Sequence, residues 1–91
     1  MTYLVRNLRE GSRPGNWIRY WENATGRKAG TCHNLGCPDK AIDGAHVQIA
    51  NPFNNKWYIV PLCHLHNCQF GHTFWVEGPL VSVTNPNDIL W

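Results

Sequence analysis

A chain of 91 residues with a net charge of +2 at pH 7 has room for one domain, and a domain this small leaves its core marginal. No run of residues is long and apolar enough to span a bilayer, which excludes a helical membrane protein. The charge is uneven: residues 1–28 carry six basic residues against two acidic, and the remainder carries two against four.

The basic front end consists of Arg6, Arg9, Arg13, Arg19, Arg27 and Lys28. It is a candidate DNA- or RNA-binding surface, and a solvated face of no special function is the plain alternative. Residues 1–9 hold no apolar stretch of signal-peptide length, so the expected setting is cytoplasmic, where thiols stay reduced.

In residues 1–30, Trp17, Tyr20, Trp21 and Ala24 recur at i, i+3, i+4 and i+7, the spacing of one helical face. Ser12 or Asn16 can cap the start, Pro14 suits the entry and Gly26 the stop, which predicts a helix of two to three turns. Its aromatic stripe is expected to pack on the body of the domain.

Residues 31–72 contain every cysteine and every histidine. Between the two Cys/His clusters, Ala45–Ile49 and Lys56–Leu62 read as strands joined by the turn-rich segment Ala50–Asn55, an antiparallel hairpin. Pro61 cannot donate to a ladder and should end the second strand. Cys63–Gly71 then reads as a helix of a turn or two. In residues 73–91, Thr73–Val76 and Leu80–Val83 flank Glu77-Gly-Pro79 and predict a second, C-terminal hairpin. The tail from Asn85 to Trp91 is expected to dock on the body.

Four cysteines interleaved with histidines favour a metal over disulfides. Zinc takes four sulfur or nitrogen ligands in a tetrahedron, commonly as two close pairs separated by a long loop. Cys32 and Cys37 form one pair. Cys63 and His66 form the second, because two intervening residues match the first turn of a helix; Cys68 is the alternative fourth ligand. His33 and His64, next to ligands, are read as solvated or supporting groups. Structural zinc contributes about 10–16 kcal/mol, comparable to the whole stability of a small domain, so the metal-free chain should be largely unfolded.

A Cys-x4-Cys knuckle, a hairpin and a Cys-x2-His at the start of a short helix together resemble the treble-clef zinc fold. Gly44-Ala-His-Val47 with Tyr58-Ile-Val-Pro-Leu-Cys-His-Leu-His-Asn67 looks like its HNH-endonuclease-like branch, over about residues 30–70. The resemblance implies a small α+β, zinc-stabilised domain spanning residues 1–91. It also implies a general base at His46, and a helix residue at Asn67 that helps hold a divalent ion such as Mg2+ at the scissile phosphate. His72 and Asp43 would be further ligands of that second metal. The chain departs from the active pattern in two places. Ala45 stands where many active members carry an acidic ligand, and the orienting asparagine would fall near Trp57 or Tyr58.

Two functions follow. The preferred one is a non-catalytic zinc module that binds nucleic acid through the basic segment and exposed parts of Trp17, Tyr20, Trp21 or Trp57; a protein partner docking on the second hairpin is a variant of it. The alternative is a divergent metal-dependent endonuclease with His46 as general base.

Overall fold

The computed structural model describes residues 1–8 and 16–83. Arg9, Arg13, the alternative cap Ser12, the helix-entry Pro14 and the tail from Asn85 onward lie outside the described residues. The elements are β1 (Thr2–Asn7), α1 (Trp17–Thr25), β2 (Asp43–Ile49), β3 (Trp57–Leu62), α2 (His64–Asn67), β4 (Thr73–Glu77) and β5 (Val81–Val83). The five strands form one antiparallel sheet in the order β4-β1-β2-β3-β5.

The expected central hairpin forms, with Ala45 opposite Val60 and Val47 opposite Tyr58. Pro61 lies inside β3 opposite Gly44, one residue before the strand ends. The second hairpin does not form. β4 pairs with β1 and β5 with β3, so the two strands lie on opposite edges of the sheet. The N-terminal segment is not wholly helical either, because Thr2–Asn7 is the strand that separates β4 from β2.

That topology forces the sheet to curl. From Glu77 to Val81 an extended chain covers at most about 14 Å, whereas four strand spacings across a flat sheet amount to about 19 Å. The segment around His33 fills the remaining gap. Its N–H donates to the Pro61 carbonyl on β3 at 2.9 Å, and its carbonyl accepts from Glu77 N–H on β4 at 2.8 Å.

Strand side chains alternate between faces, and each face of the sheet has its own core. The inner face gathers Val5, Ala45, Val47, Val60, Leu62 and Val76 with Cys32 and Cys63. The outer face at β3 and β5 is covered by α1, where Trp21, Ile59, Ala29 and Ala41 are buried with Trp17, Ile18 and Val81 against them.

Helix α1 begins at Asn16, whose side chain accepts from Arg19 N–H at 3.1 Å, and ends at Gly26, whose N–H returns to the Glu22 carbonyl. The buried face is Trp17, Ile18 and Trp21; Ala24, expected on that face, is exposed. Trp21 Nε1 donates to the Pro79 carbonyl at 2.9 Å and Tyr20 Oη to that of Ser82 at 3.1 Å, which fastens the helix to the β4–β5 connection and β5. The helix can approach because residue 44 is glycine. A Cβ there would stand 2.5 Å from the Trp17 carbonyl carbon and 2.6 Å from Ile18 N.

Candidate metal centre

Residues 31–40 fold into a tight loop closed by the Thr31–Lys40 bridge and by Cys32 N–H on the Asp39 carbonyl. Within it Cys37 N–H bonds back to the Asn34 carbonyl, and the turn passes through Gly36 at φ +80°, a backbone conformation that side-chain-bearing residues rarely adopt. Cys32 and Cys37 therefore project from one local turn. Across from them, Cys63 is the N-cap of α2, its sulfur accepting from His66 N–H at 3.5 Å. A cap and the third residue after it share the helix's first turn, so Cys63 and His66 face the same point.

The four ligand atoms converge, all lying within 4.8 Å of one another. The Cys37 and Cys63 sulfurs are 4.0 Å apart, and His66 Nδ1 is 3.2 Å from Cys63 Sγ and 3.5 Å from Cys32 Sγ. A tetrahedron with zinc–sulfur bonds near 2.3 Å and zinc–nitrogen bonds near 2.0 Å has edges of about 3.8 Å and about 3.5 Å. The donor set and its spacing thus fit a metal ion such as zinc. Burial pushes the Cys32 thiol up to about 12, with backbone hydrogen bonds from Cys63 and Asn34 pulling the other way. A bound cation would reverse that preference by stabilising the thiolate.

Cys68 stands apart from this cluster. It is exposed, and its sulfur lies 3.4 Å from His64 Nε2. His64 Nδ1 in turn meets Asp43 Oδ2 at 3.0 Å, and Asn67 Nδ2 donates to the same oxygen at 3.1 Å. His33 sets its ring nitrogens against the Glu77 and Ala29 carbonyls at 2.8 and 3.3 Å and packs edge-on against Trp21. It braces the knuckle.

Of the residues of the expected second site, Asp43 and Asn67 meet, while His46 packs elsewhere. His46 is 5% exposed, its ring edge-on to Trp17 at 4.8 Å and to Trp57 at 6.0 Å. Asn67 Nδ2 meets Asp43 Oδ2, so these two expected members do come together. The physical reason that His46 stands apart is strand alternation: Asp43, Ala45 and Val47 share one face of β2, and His46 emerges on the other, toward α1. His72 is exposed, and among the described residues the one group of three or more His, Cys, Asp or Glu side chains close enough to share an ion is Cys32, Cys37, Cys63 and His66.

One supporting residue escaped the sequence reading. Asn7, 1% exposed at the end of β1, donates from Nδ2 to the carbonyls of His66 and Asn67. The signal was its place in the inward register of β1 with Tyr3 and Val5, where a polar side chain needs a partner.

No family model matches this chain, and no curated protein or solved structure matches it. Fold and site define a small α+β chain with a Cys3His cluster that could hold a metal ion such as zinc. No helix among the described residues is long and apolar enough to cross a membrane.

Proposed function

We propose that this chain is a zinc-stabilised module of the treble-clef, HNH-like kind, non-catalytic, that binds nucleic acid. The observation that carries the zinc assignment is the match between the ligand-atom separations and the edges of a zinc tetrahedron. The treble-clef reading draws on the order of parts: a knuckle with two ligands, the β2–β3 hairpin, and a helix whose first turn supplies the other two. Bound there, zinc would supply cross-linking of the knuckle to α2 and hence folding free energy. Four unpaired cysteines suit a reducing compartment such as the cytoplasm.

The non-catalytic reading draws on His46. A general base must reach a water beside the substrate, and this imidazole is packed among tryptophan rings. The partner reading draws on charge. Arg19, Arg27 and Lys28 line a hollow of about 410 Å3 around the end of α1. The one carboxylate there, Glu22, accepts the Ala29 N–H at 2.9 Å.

Cobalt substitution tests the metal assignment. Three thiolates and one imidazole around tetrahedral Co2+ give strong visible bands and a sulfur-to-metal charge-transfer band; a pale, octahedral spectrum would overturn it. The partner assignment is tested by binding of DNA and RNA across a salt series. Affinity should fall steeply with salt, and no binding at low ionic strength would remove it.

A further inference from the structure

A second concavity lies away from both the metal cluster and the α1 basic hollow. It is an open cleft of about 500 Å3, floored by β1, β2 and β4 and walled by the β2–β3 loop. Arg6 sits on its floor, between Gln48 on β2 and Thr73 on β4 in the strand register. The guanidinium donates to Gln48 Oε1 at 2.8 Å. With five N–H donors on that group, further ones remain for a ligand. Among the described residues that line the cleft, none is acidic.

An exposed aromatic side chain stands on the rim of the same loop, outside the cleft lining. Phe53, flanked by the lining residues Pro52 and Asn54, is 95% exposed. The loop backbone that carries it is braced by its own bonds. Phe53 N–H donates to Asn51 Oδ1 at 2.9 Å, Asn54 N–H to the Asn51 carbonyl at 3.0 Å, and Lys56 N–H to Asn54 Oδ1 at 3.0 Å. Gln48 Nε2 ties the loop's far end to the floor through the Asn55 carbonyl at 3.2 Å. A phenyl ring presented to water by a braced backbone offers a face on which a flat ring can stack.

We propose that this cleft is a subsite for single-stranded nucleic acid, with one base stacked on Phe53 and an adjacent phosphate at Arg6. The proposal rests on the nucleic-acid reading above and adds a location and a strand preference to it. Cation, amides and aromatic tip are the components that single-strand sites combine: charge follows the backbone, and a ring receives a splayed base. Duplex DNA keeps its bases stacked and offers nothing to Phe53, so the cleft discriminates between the two forms.

The test uses the zinc-loaded full chain and fluorescence anisotropy of a labelled oligothymidylate, with a duplex of equal length as comparison. Phe53→Ala weakens single-strand binding by about 5- to 100-fold and leaves duplex binding and zinc content unchanged. Arg6→Gln weakens single-strand binding and reduces the salt slope by about 0.7. If both variants bind the single strand like the wild type while Arg27→Gln and Lys28→Gln lose affinity, the cleft assignment is wrong and the general nucleic-acid reading stands. If the wild type binds neither form at low salt, both readings fall. Preference for a polyglutamate peptide over oligothymidylate, lost in the same variants, would overturn the proposal in favour of an acidic protein segment.

Discussion

The Asn7 carboxamide reaches from the end of β1 to the Asn67 carbonyl at 2.8 Å and the His66 carbonyl at 3.1 Å, tying the N-terminal strand to the helix that carries a metal-cluster residue. Backbone bonds reinforce the link: Asn7 N–H donates to the His72 carbonyl and Gly71 N–H to that of Asn7. A strand nearly 60 residues away in sequence from His66 therefore helps fix that imidazole.

Asn7→Ala removes both donors and leaves two carbonyls of α2 without them. Part of that loss is offset, because Asn7 Oδ1 is itself buried without a partner among the described residues and its removal relieves a desolvation cost. The net destabilisation is about 2 kcal/mol, read by chemical denaturation of the zinc-loaded protein, with faster zinc loss to a chelator. A variant as stable as wild type, with unchanged zinc release, would show that the strand does not support the site.

The two C-terminal cysteines should behave oppositely. Cys63 is the cap of α2 and lies within the ligand cluster, whereas Cys68 is exposed beside His64. Cys63→Ser loses bound zinc and the cooperative fold; Cys68→Ser retains its full zinc content and melts like the parent. Zinc content and thermal unfolding of the two variants check this directly.

The metal quartet was legible in the sequence because ligand pairs are local: a knuckle and a helix first turn each present two side chains within a few residues. The central hairpin and α1 were legible for the same reason. Strand β1 was harder to read, since its inward set of Tyr3, Val5 and Asn7 includes a polar residue whose partners lie on α2. The pairing of β4 and β5 was not legible at all. Glu77-Gly-Pro79 reads locally as a hairpin turn, yet edges offered by β1 and β3 decide where each strand goes. For His46, alternation identifies a face, but which face α1 covers is a tertiary fact.

Protons should report on the cluster. In the folded chain without metal, burial favours the neutral Cys32 thiol and pushes it up to about 12 from 9.0. The contribution of that preference to stability is present below pH about 9 and disappears as pH climbs toward 12. Metal binding has the reverse sense, because thiols must ionise to become ligands, so zinc affinity falls as pH drops. At pH 7, zinc uptake should release about three protons, measured by calorimetry in buffers of differing ionisation enthalpy. Release of about one proton or fewer would mean that the cysteines are not the ligands.

Gly44→Ala probes the contact between α1 and the sheet. The added methyl would meet the backbone of Trp17 and Ile18, which cannot rotate away as a side chain would. The expected cost is about 3 kcal/mol in urea unfolding, accompanied by changed tryptophan fluorescence as Trp17 and Trp21 shift. An unperturbed variant would contradict the close packing of helix on strand.

His46 should matter for stability and not for turnover. The wild-type protein is expected to leave plasmid DNA intact in Mg2+ or Mn2+. His46→Ala, opening a void between Trp17 and Trp57, costs roughly 2–4 kcal/mol by denaturation. Divalent-dependent nicking that vanishes in His46→Ala while the fold survives would instead establish the nuclease.

The most direct measurement is the near-ultraviolet circular dichroism of the purified protein before and after stoichiometric zinc removal, with zinc content counted in the same samples. The zinc-centred account predicts a structured aromatic signal at full loading, its collapse on chelation and its return when zinc is restored. A metal-free chain that keeps a sharp, native aromatic spectrum would contradict it.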